Sequence, residues 1–129
     1  MKNKTSTLSA SAIALFMLLV ISPLSFAESN PIATMAKILT ELNHYPSADH
    51  KAALAAISKD EANSEATRAI AQAIHNVEHQ AKADDLAALK TVTETESISE
   101  AEKQLAEMVM TFNHSLSTEN KTALEALAK

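Results

Sequence analysis

From Ser29 to the C-terminus, residues of one chemical type recur every 35 positions. Ser29, Ser64 and Ser99 head three copies; Met35, Ile70 and Leu105 follow, then Leu42, Val77 and Phe112, then His44, His79 and His114, and later Leu54, Leu89 and Leu124. A register kept through serines, aliphatics and histidines alike identifies one supersecondary unit written three times. Within each copy the apolar residues have helical spacing, as in Met35, Ile38, Leu39 and Leu42 or Leu105, Met108, Val109 and Phe112, which puts one stripe on a helix. Helices are therefore predicted to begin near 30, 65 and 100 and to run to about His44, His79 and His114. The serines suit N-caps, Ser99 with Glu102 forms a capping box, and Pro31 suits a first turn. A second helix in each copy is predicted from Ser47, Lys82 and Ser117 to about 58, 93 and 128, burying Leu54, Leu89 and Leu124. Lys82 cannot cap as serine does, so a looser turn is expected there, with Asp84 and Asp85 supplying favourable charge.

The predicted fold is all-α: three tandem helical hairpins, six short helices, stacked as a short α-solenoid or closed into a repeat bundle. Periodicity does not choose between the two. The repeats span 29–63, 64–98 and 99–129 of a single domain over 28–129. A period of 35 is close to that of tetratricopeptide repeats, but their Trp, Gly, Tyr and Phe signature positions have no counterpart, and no family is assigned.

Residues 1–27 have the pattern of a signal peptide. Lys2 and Lys4 precede an apolar run from Ala12 to Ile21, Pro23 breaks it, and Ser25-Phe26-Ala27 supplies small residues for cleavage. The run is half the ~20 residues a membrane-spanning helix needs. A periplasmic or secreted protein is expected, with no membrane association after cleavage. The chain has 16 acidic and 11 basic residues, two of the basic ones in the leader, and a net charge of −5. No basic cluster is present to offset phosphate charge, so nucleic acid is not an expected partner.

Glycine is absent from all 129 residues, and so is cysteine. Without glycine there is no phosphate-binding loop, dinucleotide fingerprint, nucleophile elbow or EF-hand in standard form. Without cysteine there is neither a disulfide framework nor c-type haem attachment. Nothing places Ser, His and Asp together for nucleophilic catalysis, so no catalytic residues, no enzyme activity and no cofactor are expected. Glycine's absence also affects the turns. Asn43 and Asn113 are the residues expected to adopt a left-handed conformation past the first helices.

The histidines are the remaining reactive groups. His44, His79 and His114 suit helix C-termini, where an imidazole can donate to unpaired carbonyls. In a solenoid they would lie ~8–10 Å or more apart, too far to share a metal; only a closed arrangement could bring them together. His75-Asn76-Val77-Glu78-His79 is similar to the HxxEH motif of inverzincin metallopeptidases, a resemblance of five residues that implies zinc ligation by His75 and His79 one helical turn apart. That family's enzymes are much larger and take a further acidic ligand from far downstream, which a chain this short does not supply in the same manner, and the other two copies lack the motif. Leu116-Ser117-Thr118-Glu119-Asn120 is similar to a short Leu-Thr-x-x-Gln element of Spy-like periplasmic chaperones, without its glutamine. The functional expectation is a non-enzymatic exported protein presenting a helical surface to a protein or peptide partner. The alternative is a periplasmic metal-handling or envelope-stress protein that uses His75 and His79, or His44 and His114 with them.

Overall fold

The computed structural model describes residues 30–129; the signal-peptide assignment and Ser29 lie outside them. The described chain is six helices: α1 (Pro31–Glu41), α2 (Ala48–Lys59), α3 (Glu65–His75), α4 (Ala83–Glu94), α5 (Glu100–Thr111) and α6 (Thr118–Leu127). None is long and apolar enough to cross a membrane. Ser47, Ser64, Ser99 and Ser117 all accept a backbone N–H from the first turn, and Ser99 with Glu102 completes the capping box. The cap of α1 is Asn30, which accepts from Ile32 N–H at 3.0 Å.

The all-α architecture is a closed bundle. α1, α3 and α5 pack on one another pairwise and form its centre. Each carries a block of buried residues: Met35, Ile38 and Leu39 on α1, Ile70 and Ile74 on α3, Leu105, Met108 and Val109 on α5. The outer helices bury far less, centred on Leu54, Leu89 and Leu124, each with no exposed surface. These leucines set where the outer helices dock. α2 packs chiefly on α3, α4 on both α3 and α5, and α6 on α1, so the last helix meets the first. Of the expected hairpins, α3 and α4 of the middle copy pack closely, whereas α1 and α2, like α5 and α6, scarcely touch despite being sequence neighbours. The most extensive pairings cross the copy boundary, from α2 into α3 and from α4 into α5.

The first helices also end sooner than predicted. α1 stops at Glu41 and α5 at Thr111, and the next residues, Leu42 and Phe112, turn extended with ψ of 127° and 123°. Leu42, Val77 and Phe112 remain buried. They occupy the seventh place of an apolar helical stripe, so spacing reads them as helix, whereas the chain inserts them into the core from a loop.

Asn43 and Asn113 do not take the left-handed conformation. That conformation falls on His44, His79 and His114, at φ of 67°, 65° and 63°. Nor is the turn before α4 opened by Lys82. Lys82 makes no side-chain cap, yet its backbone is extended like the serine caps, and Asn76 Nδ2 donates to Asp85 Oδ2 at 3.1 Å, tying the start of α4 to the end of α3.

At the opposite end of α3 and α5, Glu102 joins two helix starts. Its Oε1 accepts from Ser64 Oγ at 2.5 Å and Thr67 Oγ1 at 2.7 Å; its Oε2 accepts from Ser99 Oγ at 2.6 Å and Ser99 N–H at 3.2 Å. Burial pushes the Glu102 carboxyl up, but the hydrogen bonds from Ser64, Ser99 and Thr67 and from the Ser99 backbone outweigh it, so its pKa lies below the ordinary value.

Candidate functional site

The three loops that follow α1, α3 and α5 meet at one end of the bundle and bring His44, His79 and His114 together. Their backbones form a closed ring of hydrogen bonds: His44 N–H donates to His114 O at 3.0 Å, His79 N–H to His44 O at 2.6 Å, and His114 N–H to His79 O at 2.6 Å. Each loop doubles back sharply around its histidine. Tyr45 N–H donates to Asn43 O at 2.8 Å and Ser115 N–H to Asn113 O at 2.7 Å, an i+2→i turn which, with positive φ at the centre, is the strained sign of γ-turn. A left-handed residue with a Cβ costs roughly 1–2 kcal/mol relative to the right-handed form. Three such residues in a chain without glycine are a concentration of strain of the kind that accompanies functional sites.

The imidazoles cluster above the backbone ring. Ring centroids are 5.3 Å apart for His44 and His79, 5.4 Å for His44 and His114, and 5.1 Å for His79 and His114. His44 is half-buried, and His79 and His114 are exposed. His114 Nδ1 lies 2.5 Å from Asn113 Oδ1. An amide oxygen only accepts, so Nδ1 is the donor in this contact and Nε2 is the nitrogen placed to meet a ligand.

These separations suit metal coordination. With Zn–N bonds of ~2.0–2.1 Å and each nitrogen roughly 1.1 Å from its ring centre, three bound imidazoles have centroids about 5.2 Å apart at tetrahedral angles and about 5.5 Å apart in a plane. The observed 5.1–5.4 Å overlaps that range. Edge-to-face packing of neutral rings also gives such distances, and two of the three pairs are near-perpendicular, at 90° and 87°. Among the described residues, no three His, Asp or Glu side chains already surround one point at ligand distance. Coordination therefore requires the rings to turn from their present edge-to-face packing.

The His75 and His79 pair is arranged differently from its motif. α3 ends at His75, Asn76 caps it, and His79 is left-handed, so the two histidines are not one turn apart on a helix. His75 Nδ1 lies 3.2 Å from Asn76 Oδ1, and Glu78 pairs with Lys82 Nζ at 3.3 Å across an exposed surface. His79 thus belongs with His44 and His114. His50, on α2, faces Glu41 at 3.3 Å.

A second concavity lies at the far end of the bundle. It is an open cleft of about 600 Å³ lined by Ala69, Ala88, Val92, Ile98, Ser64 and Glu102. Sequence spacing gave no sign of it, because it forms where small residues of α3 and α4 face one another beside the start of α5. The link from Glu102 to Ser64 and Thr67 was equally hidden, although its local capping box was legible. Comparison of the chain with protein-family models, with curated proteins and with solved structures finds no match.

Proposed function

We propose that this is a small exported, non-enzymatic protein that binds a transition-metal ion through His44, His79 and His114. The observation that carries this reading is the convergence of three imidazoles from three separate copies, with ring centroids 5.1–5.4 Å apart. Three nitrogen ligands without thiolate or carboxylate suit Zn²⁺, Cu²⁺ or Ni²⁺ rather than Mg²⁺ or Ca²⁺. The rings stand at an exposed end, so a bound ion would keep a coordination position open to water or an outside ligand. Such a site suits capture and release in the periplasm or outside the cell better than permanent structural burial.

The test is calorimetric titration of the purified mature protein with zinc, copper and nickel, beside the variant with His44→Asn, His79→Asn and His114→Asn. Asparagine tolerates the left-handed backbone, so the variant keeps the loops and loses the ligands. One ion bound per chain, absent from the variant, is the expected outcome. Equal binding by both proteins would sink the reading.

A protein or peptide partner is the second reading, and the far-end cleft supports it. Its apolar walls and acidic edge suit an apolar segment carrying a Lys or Arg. Filling it with Ala69→Leu and Ala88→Leu would abolish binding of such a peptide and leave metal titration unchanged.

A further inference from the structure

The backbone ring that gathers the histidines is also where the bundle closes. We infer that a metal held by His44, His79 and His114 acts as the clasp of that closure: an occupied site holds α6 against α1, and the site comes apart when that seam opens. This inference rests on the metal reading above.

Three observations carry it. First, the seam joins the ends of the described chain. α2–α3 and α4–α5 are pairs of sequence neighbours, whereas α1 and α6 come together only when the whole bundle has wrapped round. His44 and His114 lie 70 positions apart, twice the interval between either and His79, and the entropic cost of bringing two points together grows with the chain between them.

Second, α6 is the most lightly packed of the described helices. α6 has 10 residues, the fewest of the described helices, and Leu124 is its one buried residue. It scarcely touches α5, so its docking depends on α1. Segments with few buried contacts open at lower free energy than the core.

Third, the histidine ring crosses the same seam. Its bond from His44 N–H to His114 O, at 3.0 Å, joins the loop after α1 to the loop that leads into α6. His114 sits three residues before Ser117, the cap of α6. Movement of α6 away from α1 therefore pulls on the ligand nearest to it, and a metal bridging His114 to His44 resists that movement.

A ligand that binds only the closed form slows every opening that destroys its site by a factor of one plus the ratio of free ligand to Kd, about 100-fold at a ~100-fold ratio. Openings that leave the site intact are not slowed. The experiment is amide hydrogen exchange followed by mass spectrometry on the full mature chain, with and without zinc sulfate, beside calorimetry on the same samples. Exchange in α6, fast without zinc, is expected to slow about 100-fold at ~100 times Kd. His114→Asn leaves His44 and His79, which do not bridge the seam, so zinc should no longer slow α6. His79→Asn leaves His44 and His114, and zinc should still slow α6 at concentrations above the weaker Kd of that pair. Zinc that binds by calorimetry but leaves α6 exchange unchanged would overturn the clasp while the metal reading stands. The same holds if His79→Asn and His114→Asn both retain, or both lose, the zinc effect on α6 although zinc binds each. Absence of zinc binding to the unaltered protein would overturn both.

Discussion

His44, His79 and His114 each do two jobs that favour different residues. The left-handed backbone at φ of 63–67° favours glycine or asparagine, while the clustered rings require imidazole. Asparagine should therefore satisfy the backbone as well as histidine does, and a β-branched residue should not. His79→Asn is expected to change stability by no more than about 1 kcal/mol, and His79→Val to destabilise by roughly 1–2 kcal/mol more, read from urea denaturation without metal. Glu102 illustrates a different economy of side chains. Its pKa is held below its ordinary value by hydroxyl and backbone donors, so it stabilises the fold above its unfolded-state pKa. That contribution falls as pH drops through the ordinary carboxyl range near 4.5 and is gone below the depressed folded value. Glu102→Gln should be less stable than the unaltered protein at neutral pH, and the gap should narrow on acidification from about pH 5. A gap that stayed constant down to pH 2 would show that ionisation contributes nothing.

The helices differ in what specifies them. α3 and α5 have serine caps, acidic first turns and blocks of buried side chains, so local and tertiary signals agree. α4 begins without a side-chain cap at Lys82, whose side chain, among the described residues, makes an exposed ion pair with Glu78. An exposed pair contributes ~0–1 kcal/mol and a good cap about 1 kcal/mol. Lys82→Ser should therefore stabilise the protein by a few tenths to about 1 kcal/mol, visible as a higher urea midpoint with unchanged slope. Phe112 is the opposite case, a loop residue 2 % exposed that seals the core beside His114. Phe112→Ala should cost ~3–5 kcal/mol and, by loosening the loop, weaken metal binding as well. Its equivalents Leu42 and Val77 show why helix ends were the least legible part of the sequence: an apolar residue at i+7 continues a helical stripe whether it arrives by helix or by an extended turn.

Closure of α6 on α1 makes the bundle interdependent. Each inner helix touches the other two, and each outer helix rests on the inner helix of the next copy, so a copy removed from its neighbours loses most of its packing. The segment 64–98 contains α3 and α4 but neither α2 nor α5, the helices they need. It should be largely unfolded by circular dichroism, whereas residues 28–129 melt as one unit. A cooperative melt from the short segment would mean that the copies fold independently. Closure is also what makes a shared site available, since three loops on an open stack would carry their histidines along a line.

Residue pattern alone was enough for an all-helical chain of six elements, for the caps at Ser64, Ser99 and Ser117, and for the apolar residues that become the core. These depend on contacts within a few positions, where periodicity and capping act. The meeting of α6 with α1, the left-handed backbone at His44, His79 and His114, and the link from Glu102 to Ser64 depend on residues 35 or more positions apart or on how loops meet. A helical stripe specifies that a face is buried, not which neighbour buries it. His75 and His79 look like a pair in sequence because a helix through them would align them, and the chain's turn at Asn76 separates that pair. His44 and His114 look unrelated at 70 positions apart, and closure of the bundle places their rings 5.4 Å from each other.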